Sequence, residues 1–580
     1  MRLNKITNSQ CVLRFALLLF SSLTIAAPVN IGKMDRFYAH GQLQGEWLSI
    51  GLNLIEVPEY LMQTSFPYRK RPYPKEILFQ DTCTFTRILG GWIPTRLWSE
   101  DQTGPEADIV YRGEDGKLKY RWEKLEKRLR PYIDAGYTDL TFTLDNTPFC
   151  LAAEPNIGDY GQKAPPADFE EWGEFVEDFC LQLIKLYGYE TASKFRFKQG
   201  NEIHRKHQFT GTQEEFFKQY DYSAAAIKKV FPNAEFGPGE YIVWPAKDPG
   251  DDNISYQDLA DHCVNGINAA TGEKGIRFDF LPLSAYGVET DVNGQIIGID
   301  PDVLADKWKA FYDSVTSRHK QLKNISREIH QYGIYLRDDS LAKFMTSEPG
   351  ARGAAWFFHT MFNIRQAGLT RLQHWFTGDE VTIGGKKNFI LNSHGWLFSI
   401  LDYTIGSDIW VLDSPPQSPL GTKYKSIAAC DNSKNRTIII TSAFHVDRQV
   451  EDPRKIKITV PQNILSADMN IPLKCVFLKQ DSNVYAEIRK DLEKADLLKP
   501  EYVKIPGLVA SLKEFKLDAK GSALIAEKYD KYEKMIVESL TLKPYEGELV
   551  ENNDNYEFIF EMSPSSVMVI VAGAAAETFN

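Results

Sequence analysis

The chain of 580 residues lacks the features that mark several common protein classes. It has no block of basic residues, and its formal charge of −11 at pH 7 argues against a nucleic-acid partner, because such partners need a cationic surface. Its seven cysteines are scattered, without the Cys-x-x-Cys spacing of a zinc cluster. Beyond the N-terminal region, no apolar run is long enough to cross a bilayer. At 43% hydrophobic residues, the chain can nevertheless bury a large core, which excludes global disorder.

Several catalytic and nucleotide-binding motifs are also missing. No Gly-x-Ser-x-Gly sequence offers the nucleophile turn of a serine hydrolase. The turn at residues 384–387 lacks the flanking residues of a phosphate-binding loop, and residues 237–239 lack the third glycine of a dinucleotide fingerprint. We therefore expect no cofactor and no metal. A metal-dependent hydrolase using Glu202, His204 and His207 stays open as an alternative, although this spacing fits no zinc signature.

Residues 1–27 have the pattern of a secretory signal peptide. Arg2 and Lys5 precede the apolar run Phe15–Phe20, and Ala26-Ala27 offers a cleavage site. This predicts export to the periplasm or the extracellular space, with a retained N-terminal anchor as the alternative. Six cysteines follow this segment, and the sequence leaves open whether they form disulfides or buried thiols.

From residue 28 to 380, short apolar runs alternate with helical patterns, which is typical of βαβ units and a parallel sheet. Helix starts carry capping signals, as in Asp168 with Glu171 and Thr212 with Glu215. Eight strands with crossover helices predict an α/β fold in which a (β/α)8 TIM barrel is the catalytic domain. The predicted strands are Trp47–Leu54, Phe85–Trp92, Thr138–Leu144, Lys194–Asn201, Ala234–Gly239, Phe278–Tyr286, Asn324–His330 and Arg371–Phe376.

Residues 381–580 have a different sequence pattern, with strand-like runs such as Thr437–Ser442, Ile456–Val460 and Ser566–Val571. Helical patterns interrupt them near Tyr485–Leu497 and Ala523–Leu540. We expect a C-terminal β-sandwich accessory domain with helical insertions, packed on the barrel.

Two glutamates follow predicted barrel strands, where the active sites of TIM barrels lie. Glu202 comes after the fourth strand, directly behind Asn201, and Glu328 comes after Asn324-Ile-Ser-Arg in the seventh. Two carboxyl groups about 5 Å apart across the barrel mouth are what retaining glycoside hydrolysis needs. Each glutamate taken alone is more often a surface charge, so the strand positions carry this prediction.

With these two glutamates, the sequence resembles glycoside hydrolase family 39, one of the retaining glycosidase families of clan A, which includes β-xylosidases, α-L-iduronidases and bacterial exopolysaccharide-cleaving enzymes. The matching motifs are Phe85–Arg87, Leu186–Gly188, Asn201-Glu202, Glu215–Tyr220, Ala226–Asn233, Ser326–Glu328, Gln373–Trp375 and Asp481–Tyr485. The resemblance implies Glu328 as nucleophile, Glu202 as acid/base, and Tyr286 as a contact of the nucleophile.

Further substrate-binding candidates follow from their chemistry. Asn201 is placed to hydrogen-bond the 2-hydroxyl of the sugar. Arg87 would keep Glu328 ionised, because a nearby cation favours the charged carboxylate. Trp375 is a candidate sugar platform, with a core tryptophan as the alternative, and His330 and Trp92 are candidates of the same kind.

Some family motifs are altered in this chain. Gly200-Asn201-Glu202-Ile203 replaces Trp-Asn-Glu-Pro, and Arg87-Ile-Leu89 replaces Arg-x-His, so the identity of the sugar does not carry over. We predict an exported retaining glycoside hydrolase that acts on a polysaccharide or oligosaccharide, without nucleic-acid partners or an integral membrane domain. The alternative on the same fold is a non-catalytic carbohydrate-binding or exopolysaccharide-assembly protein.

Overall fold

A computed structural model gives the fold of the protein. It describes residues 29–33, 82–85, 88–91, 104–134, 139–158, 161–206, 208–244, 254–286, 289–290, 296–297, 300–333, 350–366, 368, 371–374, 382–383, 390–404, 406–447, 450–465, 468–497, 500–504, 511–515, 519–573 and 579. The predicted signal peptide and the predicted first barrel strand, Trp47–Leu54, lie outside the described residues.

Two four-stranded parallel sheets form the first half of the molecule. The first runs in the order β1 (Thr82–Phe85), β2 (Asp139–Leu144), β3 (Arg196–Gln199) and β4 (Phe236–Pro238). The second runs in the order β5 (Tyr241–Trp244), β6 (Phe280–Tyr286), β7 (Ser326–Gly333) and β8 (Arg371–His374).

The two parallel sheets continue into one another. Only Gly239 and Glu240 separate β4 from β5, and the Asp279 amide donates to the Phe236 carbonyl at 2.9 Å. β4 lies within the predicted strand Ala234–Gly239 and β5 follows it, while β1 overlaps the predicted Phe85–Trp92 only at Phe85. The described residues thus supply strands at seven of the eight predicted barrel positions. β3 is the fourth of these strands, and β7 is the seventh.

Amphipathic helices cover the barrel strands. The Thr212 and Glu215 capping box is present as predicted, since each side chain bonds the other residue's backbone amide. Asp168 caps its helix, but the Glu171 carboxylate instead accepts two hydrogen bonds from Arg112 at 2.7 Å. The helices are Trp122–Asp134, Phe169–Tyr187, Tyr189–Ala192, Gln213–Val230, Tyr256–Asn265, Pro301–Thr316, Ala351–Gln366, Ser393–Asp402, Val484–Lys494, Ala519–Glu527 and Tyr529–Leu540.

Antiparallel sheets form the second half. Five strands of a seven-stranded sheet are β9 (Asp408–Val411), β10 (Lys423–Asp431), β11 (Arg436–Phe444), β16 (Ser566–Gly573) and β13 (Lys474–Leu478), and Val29–Lys33 and Lys543–Pro544 complete its edges. A three-stranded sheet contains β12 (Arg454–Pro461), β15 (Asn555–Met562) and β14 (Glu548–Asn552). Residues of both sheets, including Ile439, Ile458 and Phe560, share one apolar core.

Shorter elements complete the fold. Two-stranded antiparallel pairs join Val110–Arg112 with Leu118–Tyr120, Ile157–Gly158 with Gly161–Gln162, Glu289–Thr290 with Ile296–Ile297, Thr382–Ile383 with Ile390–Leu391, and Pro500–Lys504 with Ser511–Phe515. The 3-10 helices are Pro105–Ala107, Lys320–Leu322, Asn432–Lys434 and Gln462–Ile464.

The parallel and antiparallel halves are held together by polar contacts. The Lys423 ammonium in β10 lies 2.6 Å from an Asp300 oxygen and 2.7 Å from an Asp302 oxygen at the start of helix Pro301–Thr316. Arg352 is fully buried and donates to the backbone carbonyls of His445 and Val446. These contacts attach barrel helices to the antiparallel sheet.

Two further findings concern the sequence predictions. Cys150, Cys180, Cys263, Cys430 and Cys475 are free thiols. Across the described part of the chain, no helix combines the length and the apolar character needed to cross a membrane.

Candidate active site

A strained turn carries Glu202 at the end of β3. Gly200 and Glu202 have positive φ angles of 80° and 49°, and Asn201 and Glu202 are only 4% and 7% exposed. A glutamate in the left-handed region costs about 1–2 kcal/mol, so the surrounding structure must hold it there. A Cβ on Gly200 would lie 2.2 Å from Ile203 Cγ2, which shows how tightly the turn closes.

This turn packs against the segment between β4 and β5. A Cβ on Gly239 would lie 2.2 Å from the Gly200 carbonyl oxygen and 2.9 Å from the Asn201 amide nitrogen. The His204 ring stacks on Tyr241 with centroids 4.1 Å apart, and its Nε2 accepts a hydrogen bond from the Ile242 amide at 3.3 Å. The position of Glu202 is therefore fixed by the neighbouring strand.

Tyr256 supports the same region from the following helix. Its hydroxyl donates to the carbonyls of Gly239, at 2.6 Å, and Glu240, at 3.2 Å. Burial raises the pKa of Tyr256 well above its ordinary value, and the charges of Glu240 and Glu202 raise it further. Glu202 and Glu240 thus lie close enough to one phenol for both charges to act on it.

Asn201 lines a small polar cavity beside Glu202. Side chains from the end of β2 and from neighbouring loops complete its wall, among them Asp145, Asn146, Gln162 and Gln208. Asn201 thus lies just after the carboxyl end of β3 and lines this cavity.

Glu328 lies within the seventh barrel strand. The sequence predicted this strand as Asn324–His330, and β7 extends from Ser326 to Gly333, with Glu328 as its third residue. Its Arg196 partner is the first residue of β3, five positions before Asn201.

β7 continues three residues beyond its predicted end at His330. Ile329 is buried, and Gln331 and Tyr332 pair with Ser284 and Ala285 of β6. A polar residue within a barrel strand can point inward and find a partner there, so polarity alone does not end the strand.

Glu328 is fully buried and held by three side chains. Arg196 binds both carboxylate oxygens, at 2.6 and 3.0 Å, and the Ser326 hydroxyl donates at 2.5 Å. The His330 Nε2 lies 2.6 Å from Oε2. Burial acts to lower the pKa of Arg196, but the charges and hydrogen bonds of Glu328 and Glu235 outweigh it and hold that pKa above its ordinary value. Arg196 is thus a cation bound to this carboxylate.

A second buried ion pair lies next to the first. The Lys198 ammonium in β3 donates to Glu240 Oε1, and both side chains are fully buried. His330 joins the two pairs, because its Nδ1 lies 3.7 Å from the same Glu240 oxygen. Burial lowers the pKa of His330 to about 4, so its ring is neutral near pH 7.

The remaining predicted site residues fall into two groups. His330 is buried among Glu328, Glu240 and Phe280, while Tyr286 ends β6 and its side chain lies outside the described residues. Arg87, Trp92 and Trp375 also lie outside the described residues, as does His207 of the metal alternative. Among the residues that the structure describes, no cluster of three or more His, Cys, Asp or Glu side chains could hold a metal ion.

Sequence reasoning missed Arg196, Lys198 and Glu240. A signal was present, because Phe195, Phe197 and their neighbours alternate with Arg196 and Lys198 in a predicted interior strand. Charged residues at alternate positions of a buried strand require buried partners of the opposite charge. Glu240, directly after Gly237-Pro-Gly239, is one such partner.

Comparison with known proteins identifies a related family. Residues 105–338 match the family model "Glycosyl hydrolases family 39". The resemblance to this family is confirmed. The matched segment contains β2 to β7 and the Asn201-Glu202 turn.

Curated relatives share parts of the sequence. An α-1,4-L-rhamnosidase of Formosa agariphila is 22% identical over 298 residues, which are 47% of this chain and 56% of the relative. A β-xylosidase of Caldicellulosiruptor saccharolyticus is 32% identical over 131 residues, or 22% of this chain and 26% of the relative. The chain thus spans about half of the first relative and a quarter of the second.

Solved structures match over nearly the whole chain. A monomeric β-xylosidase from Caulobacter crescentus has a TM-score of 0.59 at 14% identity and covers 96% of this chain and 99% of its own. The family 39 enzyme from Xanthomonas axonopodis pv. citri has a TM-score of 0.57 at 12% identity, with coverage of 96% and 100%. These likenesses establish the fold, a TIM-barrel-like glycosidase architecture.

Proposed function

We propose that the protein is a glycoside hydrolase that cleaves an oligosaccharide or polysaccharide, with Glu202 as its general acid. The observation that carries this proposal is the Asn201-Glu202 turn, strained and nearly buried at the carboxyl end of a barrel strand. A protonated Glu202 would donate its proton to the glycosidic oxygen as the bond to the anomeric carbon breaks. Asn201 would bind the hydroxyl next to that carbon.

The proposal extends to the rest of the predicted function. The relatives are named for the cleavage of rhamnose, xylose and iduronic acid residues, which supports a carbohydrate substrate and leaves the sugar to be found by experiment. The two antiparallel sheets with their shared core support the expected β-sandwich accessory domain. Export through the predicted signal peptide is part of the same proposal.

The retaining scheme needs a nucleophilic carboxylate about 5 Å from the acid. We keep Glu328 in this role: it is buried, and Arg196, Ser326 and His330 bind its carboxylate, which favours the charged form that a nucleophile needs.

A substrate screen tests the function. Purified protein is incubated with a panel of aryl glycosides and with plant and bacterial polysaccharides, and released sugar is measured. We expect hydrolysis of at least one substrate, and we expect Glu202→Gln to lower kcat on an unactivated glycoside by about 10²–10⁴-fold, because general acid catalysis contributes that much.

Glu190→Gln is the matched control, since Glu190 is exposed on a short helix away from the barrel mouth. This variant should hydrolyse at the wild-type rate. Ligand binding without hydrolysis of any substrate would favour the carbohydrate-binding alternative. Full activity of Glu202→Gln would remove Glu202 from the mechanism.

A further inference from the structure

One buried carboxylate joins the segments that follow two neighbouring barrel strands. Asp108 is only 1% exposed. Its Oδ1 accepts a hydrogen bond from the Gly91 amide at 2.6 Å, and its Oδ2 accepts one from the Phe149 amide at 2.7 Å. Gly91 lies in the segment after β1, and Phe149 lies in the segment after β2. Asp108 belongs to the connection between these strands, so its side chain ties together two loops at the carboxyl ends of the barrel strands.

The segment after β1 is shaped around this carboxylate. Gly90 has a φ angle of 122°, and a Cβ on it would overlap both Oδ1 and the backbone of Asp108. Only glycine adopts this backbone conformation readily and leaves room for the side chain of Asp108. The Ile109 amide also donates to the Leu89 carbonyl at 3.0 Å, which holds the two stretches of chain side by side.

The segments that Asp108 ties together lead to the cavity beside Asn201. A Cβ on Gly91 would lie 2.5 Å from the Asn146 carbonyl oxygen, and the Gly91 carbonyl accepts a hydrogen bond from the Gln162 amide at 2.6 Å. The Asn146 side chain donates to the Gln162 carbonyl at 2.8 Å. Asn146, Gln162 and Asn201 line the same cavity. A change at Asp108 therefore reaches this cavity through the Gly91 segment.

Asp108 can gain or lose a proton near neutral pH. Burial raises the pKa of Asp108 to about 7, although its two amide hydrogen bonds and the Arg128 and Arg121 cations act to lower it. Burial lowers the pKa of Arg128 to about 10, so this guanidinium stays charged at pH 7. Burial also raises the pKa of the neighbouring Cys150 thiol, to about 12, so this group stays neutral.

Ionised Asp108 holds the two segments more tightly than the protonated acid does. Hydrogen bonds to a charged acceptor are about twice as strong as those between neutral groups. A protonated carboxyl group also brings an O–H donor into a site where the Gly91 and Phe149 amides are donors already. Loss of the charge therefore weakens the link between the segments after β1 and β2.

We propose that Asp108 is a positioning residue of the glycoside hydrolase, and that its carboxylate form holds the segments after β1 and β2 in the arrangement that binds the substrate beside Asn201. This inference rests on the proposed function. Asp108 does not touch the sugar. It acts through Gly91, Asn146 and Gln162, which connect it to the cavity.

The pH dependence of Asp108→Asn tests this role. The amide has the shape of the protonated acid and cannot ionise. We expect the ratio of wild-type to variant kcat/KM to be about 10–10²-fold at pH 8, since a displacement of about 1 Å costs up to that much. The ratio should fall towards one at pH 5, with a midpoint near pH 7. Because both proteins share Glu202 and Glu328, the ionisations of those residues cancel in this ratio.

The unfolding temperature separates this role from a structural one. The pKa of Asp108 is 3.8 in the unfolded chain and about 7 in the folded protein, so the stabilisation from its protonated form is lost as the pH rises through 7. At pH 8 Asp108→Asn should therefore unfold at a temperature no lower than the wild type, although it is less active. A lower unfolding temperature at pH 8, with a kcat/KM ratio that does not change with pH, would overturn the proposal.

Asp115→Asn is the matched control. Asp115 lies in the turn between Val110–Arg112 and Leu118–Tyr120, where its half-exposed side chain pairs with Lys119. The kcat/KM of this variant should follow the wild-type value at every pH.

Arg121→Gln decides the question if Asp108→Asn does not fold. The Arg121 cation lowers the pKa of Asp108, so its loss should shift the midpoint near pH 7 in the kcat/KM profile to higher pH. An unchanged midpoint would overturn the proposal. Equal kcat/KM of Asp108→Asn and the wild type at pH 8 would do the same and leave the glycosidase function intact, whereas no hydrolysis of any substrate by the wild type would refute the function itself.

Discussion

At the scale of single residues, the barrel interior is notable for charge. Arg196 and Lys198 occupy alternate positions of β3, where apolar side chains usually fill a TIM barrel. Glu328 balances the first and Glu240 the second. Removing water from such charges is expensive, so each pair is held by complete hydrogen bonding or by a role in function.

A first prediction concerns Glu328. Glu328→Gln should lower the free energy of unfolding by about 3–5 kcal/mol, because it leaves the buried Arg196 without its counter-ion. Urea unfolding followed by tryptophan fluorescence measures this change. Glu235→Gln, at the partly exposed side of the same guanidinium, should cost at most about 1 kcal/mol. Wild-type stability of Glu328→Gln would contradict this prediction.

A second prediction follows from the pKa of His330, which burial lowers from 6.5 to about 4. In the unfolded chain the His330 ring is protonated as the pH falls below about 6.5, whereas in the folded protein it is protonated only near pH 4. The stabilisation from the neutral ring is therefore complete above pH 6.5 and is lost as the pH falls towards 4.

Urea unfolding at a series of pH values measures this effect. In His330→Gln the slope of unfolding free energy against pH should decrease by one proton between pH 4 and 6.5. His359, buried in helix Ala351–Gln366 with its pKa lowered to about 3, contributes a slope of the same sign and is unaffected by this variant. An unchanged slope in His330→Gln would show that the ring is not buried as neutral imidazole.

At the scale of elements, the turn after β3 depends on the segment after β4. Gly239 has no room for a side chain, because an added Cβ meets the Gly200 carbonyl at 2.2 Å and backbone atoms cannot rotate away. A displacement of the segment after β4 would therefore displace the turn after β3 as well. Glu202 sits on one of them and Glu240 on the other.

This contact gives a prediction for Gly239→Ala. The methyl group should push the Glu202 turn away from β4 and lower kcat/KM at least about 10²-fold, since displacements of about 1 Å cost that much. Gly350→Ala is the control, because its added Cβ meets only Gln480 and Tyr485 side chains, at 3.4 Å or more. Steady-state kinetics of the two variants measures the difference. Equal activity would mean that the turn is not held by this contact.

The boundaries of the elements show where prediction from sequence succeeds. The run Phe278–Tyr286 contains β6 (Phe280–Tyr286), because an apolar stretch with a polar flank identifies a buried strand. β7 extends three residues past its predicted end, since Gln331 and Tyr332 can pair within a barrel strand as well as follow one. Strand ends are ambiguous wherever the barrel interior is polar.

At the scale of the whole molecule, the TIM-barrel-like glycosidase fold was predictable, because alternation of strands and helices specifies it locally. The pairing of charged residues inside the barrel was not predictable. Lys198 and Glu240, or Arg196 and Glu328, lie far apart in sequence and meet only when the strands assemble. The Asn201-Glu202 turn could be located because its position depends on a single strand end.

The strand Val29–Lys33 has a consequence for how the molecule assembles. It lies before the barrel in sequence, yet it pairs with Asp408–Val411 at the edge of the large antiparallel sheet, with Val29 opposite Val411 and Lys33 opposite Asp408. In chain order, one edge strand of that sheet therefore comes first, the barrel follows, and the other strands of the sheet come last. Such distant pairing is slow to form. Neither half can therefore be produced alone without loss. A barrel fragment would carry Val29–Lys33 as an unpaired strand, and the remaining sheet would expose the unpaired backbone groups of Asp408–Val411 to other chains.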